Sequence, residues 1–247
     1  MIEYNDIHEA YLHTLAEVMY KYDFRSSPRG QPIRELVDYG FKVNEPIAEP
    51  IKTKDIERNK VIETYTKKEW DLYDSQTNLV SDFAKASKFW NKIANKDGTV
   101  NSAYGYLIWN NKSCGNLELD DSQISELMTP WEWCKYSLIK DKDSRQAHLK
   151  FNLPQHLFTT NKDVTCTMHM NMLIREDKLH ASLIMRSNDV MLGAVYDIPW
   201  FISLIDRMVL ELKERYPNLE KGTYTHFAHS MHMYERDQTK ILKMLGK

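Results

Sequence analysis

The chain has 247 residues, enough for one large domain with a substantial core. Its 33 Lys and Arg against 35 Asp and Glu give a formal charge of −2, so it lacks the basic excess that binding a nucleic-acid polymer calls for, although a small anion can still be held locally. No apolar run approaches membrane-spanning length, MIEYNDIHEA is not a signal-peptide pattern, and three cysteines (Cys114, Cys134, Cys166) without metal-ligand spacing fit free thiols in a reducing cytoplasm.

Ile7, Tyr11, Leu12, Leu15, Val18 and Met19 recur at helical spacing and predict a helix over 6–22. RSSPRGQP, residues 25–32, reads as a polar loop punctuated by Pro and Gly. Helices are expected over 57–75 and 83–95, and helical turns over 121–140 with an interruption near Pro130. Strands are expected over 147–153, 164–175 and 178–187. A two-residue turn at Glu176-Asp177 would set residue 166 roughly opposite residue 187. Asp197-Ile198-Pro199 opens a helix to about Arg215, with Ile202, Ile205, Met208, Val209 and Leu212 as its apolar stripe. Residues 222–234 alternate as a strand, and a short helix follows. The pattern implies an α+β fold, a mixed sheet with packed helices, in a single domain over 1–247 with no linker.

Each chemically interesting residue also has a plain reading. Cys166 shares a strand face with Val164, Met168, Met170, Met172 and Ile174, which makes it a small buried residue of a Met-rich core. A thiol can equally be a covalent nucleophile, activated by a nearby arginine. Twenty residues on comes Arg186-Ser187-Asn188-Asp189. A guanidinium fork beside a hydroxyl suits a phosphate, and the plain reading is an exposed strand end. Asp197 before Ile-Pro is a natural helix N-cap. Glu69, in TKKEWDLY, is an ordinary solvated helical carboxylate; Arg145, in DSRQ, a loop arginine; Tyr104, in NSAYG, a buried structural ring. His232 and Tyr234, two apart on a strand, face one side as a polar edge.

Taken together, the twenty-residue spacing from cysteine to Arg-Ser-x-Asp, the Leu-Gly after it, the wording MRSNDV, NSAYG (101–105), Asp-Ser-Arg (143–145) and the pair His232-x-Tyr234 resemble the thymidylate synthase superfamily. Within it they are most similar to the phage-type deoxycytidylate hydroxymethylases, in order from about residue 25 to 235. The resemblance implies a thymidylate-synthase-like fold and a homodimer. It implies that Cys166 attacks C6 of a pyrimidine, making C5 a carbon that adds to an electrophile, while Glu69 moves protons through ordered water. Arg186, Ser187 and an N-terminal arginine, Arg29 with Arg25 as rival, would hold the 5′-phosphate together with Arg145 from the partner subunit. Asp189 counts among the substrate-binding residues, His232 and Tyr234 would bind the sugar hydroxyl, and Tyr104 would shape the base and sugar pocket. Asp197 stands where synthases carry asparagine. An amide complements uracil, whereas a carboxyl group that accepts from an amino group and shares a proton with N3 complements cytosine.

The implied reaction transfers a one-carbon unit from 5,10-methylenetetrahydrofolate to C5 of dCMP and adds water, giving 5-hydroxymethyl-dCMP, as phages do to alter their DNA in the host cytoplasm. Two departures stand out. Gln146 replaces the second arginine that usually follows Asp-Ser-Arg, and the chain reaches only Lys247 after Tyr234, where many relatives have a longer tail that closes over the folate. The alternatives are a dUMP hydroxymethylase, a thymidylate synthase, a methylating dCMP or CMP relative, and a catalytically silent nucleotide-binding relative. Retention of Cys166, Arg186, Asp189 and His232 together argues against the last.

Overall fold

A computed structural model describes residues 1–114, 127–158 and 160–247. In chain order its elements are β1 (Ile2–Tyr4), α1 (Ile7–Tyr20), β2 (Phe24–Ser26), β3 (Ile33–Val43), α2 (Ile56–Asp74), α3 (Val80–Ala86), α4 (Trp90–Ile93), α5 (Tyr104–Trp109), α6 (Pro130–Lys140), β4 (His148–Lys150), β5 (Thr167–Arg175), β6 (Lys178–Met185), β7 (Asn188–Asp189), α7 (Val195–Leu212), β8 (Glu220–Tyr234) and α8 (Gln238–Met244). A π-helical turn, Val190–Ala194, leads into α7. The elements form two compact units, one of Met1–Thr66 with Asp177–Lys247, the other of Lys67–Glu176. The chain passes from one to the other inside α2 and again in the turn Glu176-Asp177. Both turn residues have positive φ, 52° and 57°, as a two-residue hairpin connection of type I′ demands.

The first unit is built on a mixed sheet. β3 and β8 form its spine, antiparallel from Ile33 opposite Tyr234 to Val43 opposite Tyr224. β1 runs parallel to β3, β2 antiparallel to it, and β6 and β7 both run parallel to β8. α1 starts where the Asp6 carboxylate accepts the backbone N–H groups of His8 and Glu9, and it buries Ile7, Ala10, Tyr11, Leu15, Val18 and Met19. α7 buries twelve of its eighteen residues, so it is apolar nearly all round rather than on one stripe.

The second unit pairs β4 with β5 and surrounds them with short helices. Pro130 does not interrupt a helix. It is the first residue of α6, where its missing N–H costs nothing, and the Thr129–Glu132 capping box closes the start. Residues 121–126 of that expectation lie outside the described residues. The helix expected over 83–95 is instead α3 and α4, parted at Ser87, which has an extended backbone (φ −153°, ψ 131°). β3 escaped notice because its burial does not alternate: Asp38 takes φ +52°, and the buried set shifts from Ile33 and Leu36 to Phe41 and Val43.

In the NSAYG segment the glycine is obligatory. A Cβ on Gly105 would lie 1.8 Å from the carbonyl oxygen of Tyr73 on α2. Backbone cannot yield as a flexible side chain can, so Gly105→Ala is expected to cost about 3 kcal/mol or more by overpacking. Urea denaturation monitored by tryptophan fluorescence checks this; an unchanged midpoint would mean that α2 and α5 separate freely.

Candidate active site

In the second unit Cys166 immediately precedes β5 and is partly exposed. Its neighbours Thr165 and Thr167 are fully buried. Thr165 is hydrogen-bonded to His156 Nδ1 at 2.9 Å, and its carbonyl accepts from Asn152 Nδ2 at 3.0 Å. The Thr167 hydroxyl donates to Tyr104 Oη at 2.9 Å, and the Tyr104 ring stacks on Tyr73 with centroids 5.4 Å apart. Two inward threonines force the thiol between them outward. The Met-rich core face is real at Met170, Met172 and Ile174, but Cys166 is not part of it, because the buried positions change parity between Thr167 and Met170. Cys134 shows the contrast: it is wholly buried, and burial pushes its thiol pKa far above the ordinary value.

Asp163, three residues before the thiol, anchors the NSAYG segment. Its carboxylate accepts the Ser102 N–H at 2.7 Å and the Ser102 hydroxyl at 2.5 Å, and its carbonyl accepts from Asn101 Nδ2 at 2.7 Å. Tyr104 is thereby held against Thr167 from both sides. Glu69 is not solvated. It is 7% exposed, in the buried series Ile62, Thr66, Glu69 and Tyr73 of α2, spaced four, three and four. Arg145 and Gln146 are exposed and line a cavity of about 610 Å³ with Trp133, Tyr136 and Lys140.

In the first unit Arg186 is exposed, and its Nη1 donates to Ser187 Oγ at 3.2 Å, so the proposed fork and hydroxyl do stand together. The next two residues turn inward. Asp189 Oδ1 accepts the backbone N–H groups of Met191 (2.7 Å) and Leu192 (3.2 Å), capping the π turn. This corrects the plain reading of Asp197. The helix start lies upstream of it, Asp189 is the cap, and Asp197 sits within the first turn of α7. Arg58 Nη2 holds the same π turn by donating to the Met191 carbonyl at 2.9 Å. The other Asp189 oxygen is buried with no hydrogen-bond partner among the described residues; burial pushes its pKa up, and His232, its register neighbour across β7 and β8, works against that. His232 and Tyr234 share one side as expected, with ring centroids 5.7 Å apart.

The Asp197 carboxylate accepts from Asn188 Nδ2 at 2.7 Å. Gly193 makes room for that contact, since a Cβ there would lie 2.7 Å from Asn188 Nδ2 and 3.1 Å from Asp197 Oδ2. Burial pushes Asp197 up to about 6, the hydrogen bond from Asn188 opposes the rise, and the Asp189 charge adds to it. Behind Asn188 lie His226 and Tyr224, both fully buried on β8. His226 Nε2 is 3.2 Å from Asn188 Oδ1, and Tyr224 Oη is 2.8 Å from His226 Nδ1. Burial lowers the His226 pKa to about 3. Sequence reasoning missed Asn188, His226 and Tyr224. The available signal was a histidine and a tyrosine at inward positions of a strand, next to an asparagine already inside the Arg-Ser-x-Asp motif. Of the two N-terminal arginines, Arg25 pairs with Glu235 at 3.3 Å and lies over the Tyr22 ring, while Arg29 is exposed at φ 54° and makes no ion pair or hydrogen bond among the described residues.

The thymidylate synthase family model matches residues 9–247, and the chain belongs to that family. Deoxycytidylate 5-hydroxymethyltransferase of Enterobacteria phage T4 is 26% identical over 221 residues, covering 87% of this chain and 80% of that protein. The phage T6 protein of the same description matches to the same extent. Thymidylate synthase of Fusobacterium nucleatum is 25% identical over 179 residues, 72% of this chain and 58% of that protein. The fold matches thermostable thymidylate synthase A from Bacillus subtilis with a TM-score of 0.68 at 16% identity, over 98% of this chain and 84% of that one. The chain therefore has the α+β thymidylate synthase fold and is a transferase of that family. No helix among the described residues is long and apolar enough to cross a membrane.

Because the folded-state pKa of Asp197 is raised from 3.8 to about 6, native protein binds its proton more tightly than unfolded chain does. The native state is then penalised as pH rises through this window, and the full penalty is present above it. Asp197→Asn, which keeps an oxygen to accept from Asn188, should gain stability relative to the parent between pH 4 and 7.5, by at most about 3 kcal/mol. Urea titrations at several pH values measure the difference; a relative loss on going to pH 7.5 would mean that the ionised carboxylate stabilises the fold.

Proposed function

We propose that the chain forms one catalytic domain over 1–247 that transfers a one-carbon unit from 5,10-methylenetetrahydrofolate to C5 of dCMP and then adds water, giving 5-hydroxymethyl-dCMP. The observation that carries this reading is Asp197, a carboxyl group held by an amide donor and balanced near pH 6. Such a group accepts from the cytosine amino group and shares a proton with N3, a pattern that uracil does not offer. The phage relatives named above support the choice of a cytosine nucleotide.

Cys166, pushed outward by its threonine neighbours, supplies the nucleophile. Forming the sulfur–C6 bond sends the ring electron pair to C5, and expelling the thiolate at the end restores the ring. Glu69, buried on α2, is positioned to hold and move protons and to place water. Arg186 and Ser187 bind the phosphate with Arg29, which is not engaged elsewhere, and with Arg145 of a second subunit in a homodimer. Asp189, His232 and Tyr234 hold the sugar side, and Tyr104 shapes the pocket wall.

Methylenetetrahydrofolate would supply the one-carbon unit when bound. Its reduced pterin carries both hydrogen-bond donors and acceptors on an otherwise apolar frame, which calls for aromatic faces and polar partners. The second unit offers both: the Trp70 and Trp90 indole N–H groups are buried with no acceptor among the described residues, and Trp90 packs edge-on against Phe83 at 4.8 Å. These are the residues that fit it.

Incubation with dCMP and methylenetetrahydrofolate should yield a product heavier by one hydroxymethyl group in mass analysis; gain of methyl, or no change, overturns the reading. Cys166→Ala should abolish tritium release from dCMP labelled at C5 while sparing dCMP binding, and release at the parent rate would remove Cys166 from the chemistry. Arg186→Ala should weaken dCMP binding by about 1.5–3 kcal/mol, as expected for a charge-assisted hydrogen bond, and leave deoxycytidine almost unaffected. Equal losses for nucleotide and nucleoside would make Arg186 structural.

A further inference from the structure

We propose that His226 is a positioning residue for base recognition. Acting through Asn188, it fixes which oxygen of Asp197 is left to a ligand, and so sets the preference for an amino over an oxo pyrimidine. The inference deepens the reading of Asp197 as base reader and rests on it.

The four side chains Tyr224, His226, Asn188 and Asp197 form a chain of hydrogen bonds of 2.8, 3.2 and 2.7 Å. Donor and acceptor accounting leaves one direction. An ionised Asp197 only accepts, so Asn188 must present its NH2 group to it. The Asn188 carbonyl oxygen then faces His226 Nε2 and needs a donor there. His226 is neutral throughout the working pH range, so its one proton sits on Nε2, and Nδ1 is an acceptor. Tyr224 supplies the hydroxyl that donates to Nδ1. The His226 ring lies parallel to Phe41, with planes 6° apart and centroids at 5.3 Å, which fixes the plane in which its two nitrogens lie.

Two consequences follow for Asp197. Oδ2 always receives the Asn188 donor, so a proton shared with a ligand belongs on Oδ1, which accepts no hydrogen bond among the described residues. The amide is also held against a flip that would turn its carbonyl oxygen toward the carboxylate. The titratable groups that act on Asp197 are Asp189 on β7 and Tyr224 on β8; neither is cationic, so neither would replace the lost donor.

The test titrates Asp197 by carboxyl-carbon NMR in the parent, His226→Phe, His226→Gln and Tyr224→Phe proteins, alongside kcat/KM for dCMP and dUMP. Phe keeps the stacking shape without a donor, and Gln keeps an N–H donor for Asn188. In His226→Phe the Asp197 pKa should rise by about one unit and the dCMP/dUMP ratio should fall about tenfold or more. His226→Gln should restore both. Tyr224→Phe, which releases Nδ1 and lets the ring adopt its other tautomer, should move both the same way by less. If His226→Phe does not fold, Tyr224→Phe and His226→Gln carry the test. An Asp197 titration unmoved by His226→Phe and by Tyr224→Phe, or equal damage from Phe and Gln, overturns the positioning role. A parent protein that turns over neither nucleotide overturns the proposed function, while the titration still decides the role of His226.

Discussion

A single amide-to-carboxylate hydrogen bond, Asn188 to Asp197, is the contact around which the first unit is arranged. It sits at the mouth of α7, which buries twelve of its eighteen residues, where an unpaired charge would be expensive. Several unrelated features serve it. Gly193 gives up its Cβ so that the two side chains can meet. Asp189 and Arg58 both pin the start of the π turn, one through the N–H groups of Met191 and Leu192 and the other through the Met191 carbonyl. The pairing of β7 with β8 brings Asn188 beside Met231, leaving its carbonyl oxygen to His226. Remove any of these and the carboxyl group must find another donor or protonate.

The thiol of the second unit is displayed by a related device. Thr165 and Thr167 are drawn inward by His156 and Tyr104, and Cys166 between them stays partly exposed. Each threonine hydroxyl is satisfied, so burying both costs little. The partner Tyr104 is itself fixed by aromatic neighbours and by the Asp163 clamp on the preceding loop. The segment ending at Gly105 and the strand after Cys166 thus form one polar-pinned assembly, which explains why both are recognisable as sequence motifs.

Much of this was legible in the sequence, for definable reasons. α1 and the body of α7 follow from helical apolar spacing, and β5, β6 and β8 from strand-like runs. The family and the residues of its motifs were legible because their spacings are long and joint. What escaped was governed by tertiary contacts. The inward or outward sense of Cys166 depends on where two threonines find hydrogen bonds, not on alternation. The burial of Glu69 depends on what covers α2. Asp197 looked like a helix cap because Ile-Pro follows it, and nothing local announces a π turn that moves the start back to Asp189. His226 and Tyr224 looked like strand residues until their partner Asn188 was placed.

The π turn has one more implication, for how this region tolerates change in length. A helix advances about 100° per residue, so one residue more or fewer before Asp197 would leave α7 helical but swing every side chain after it around the axis. Substitutions on the exposed side of 190–194 alter only surface, whereas a single-residue deletion would bury Asp197 against the wrong neighbours and present an apolar flank in its place. The segment is therefore a phase setter. Its exposed Leu192 should vary more readily than its length.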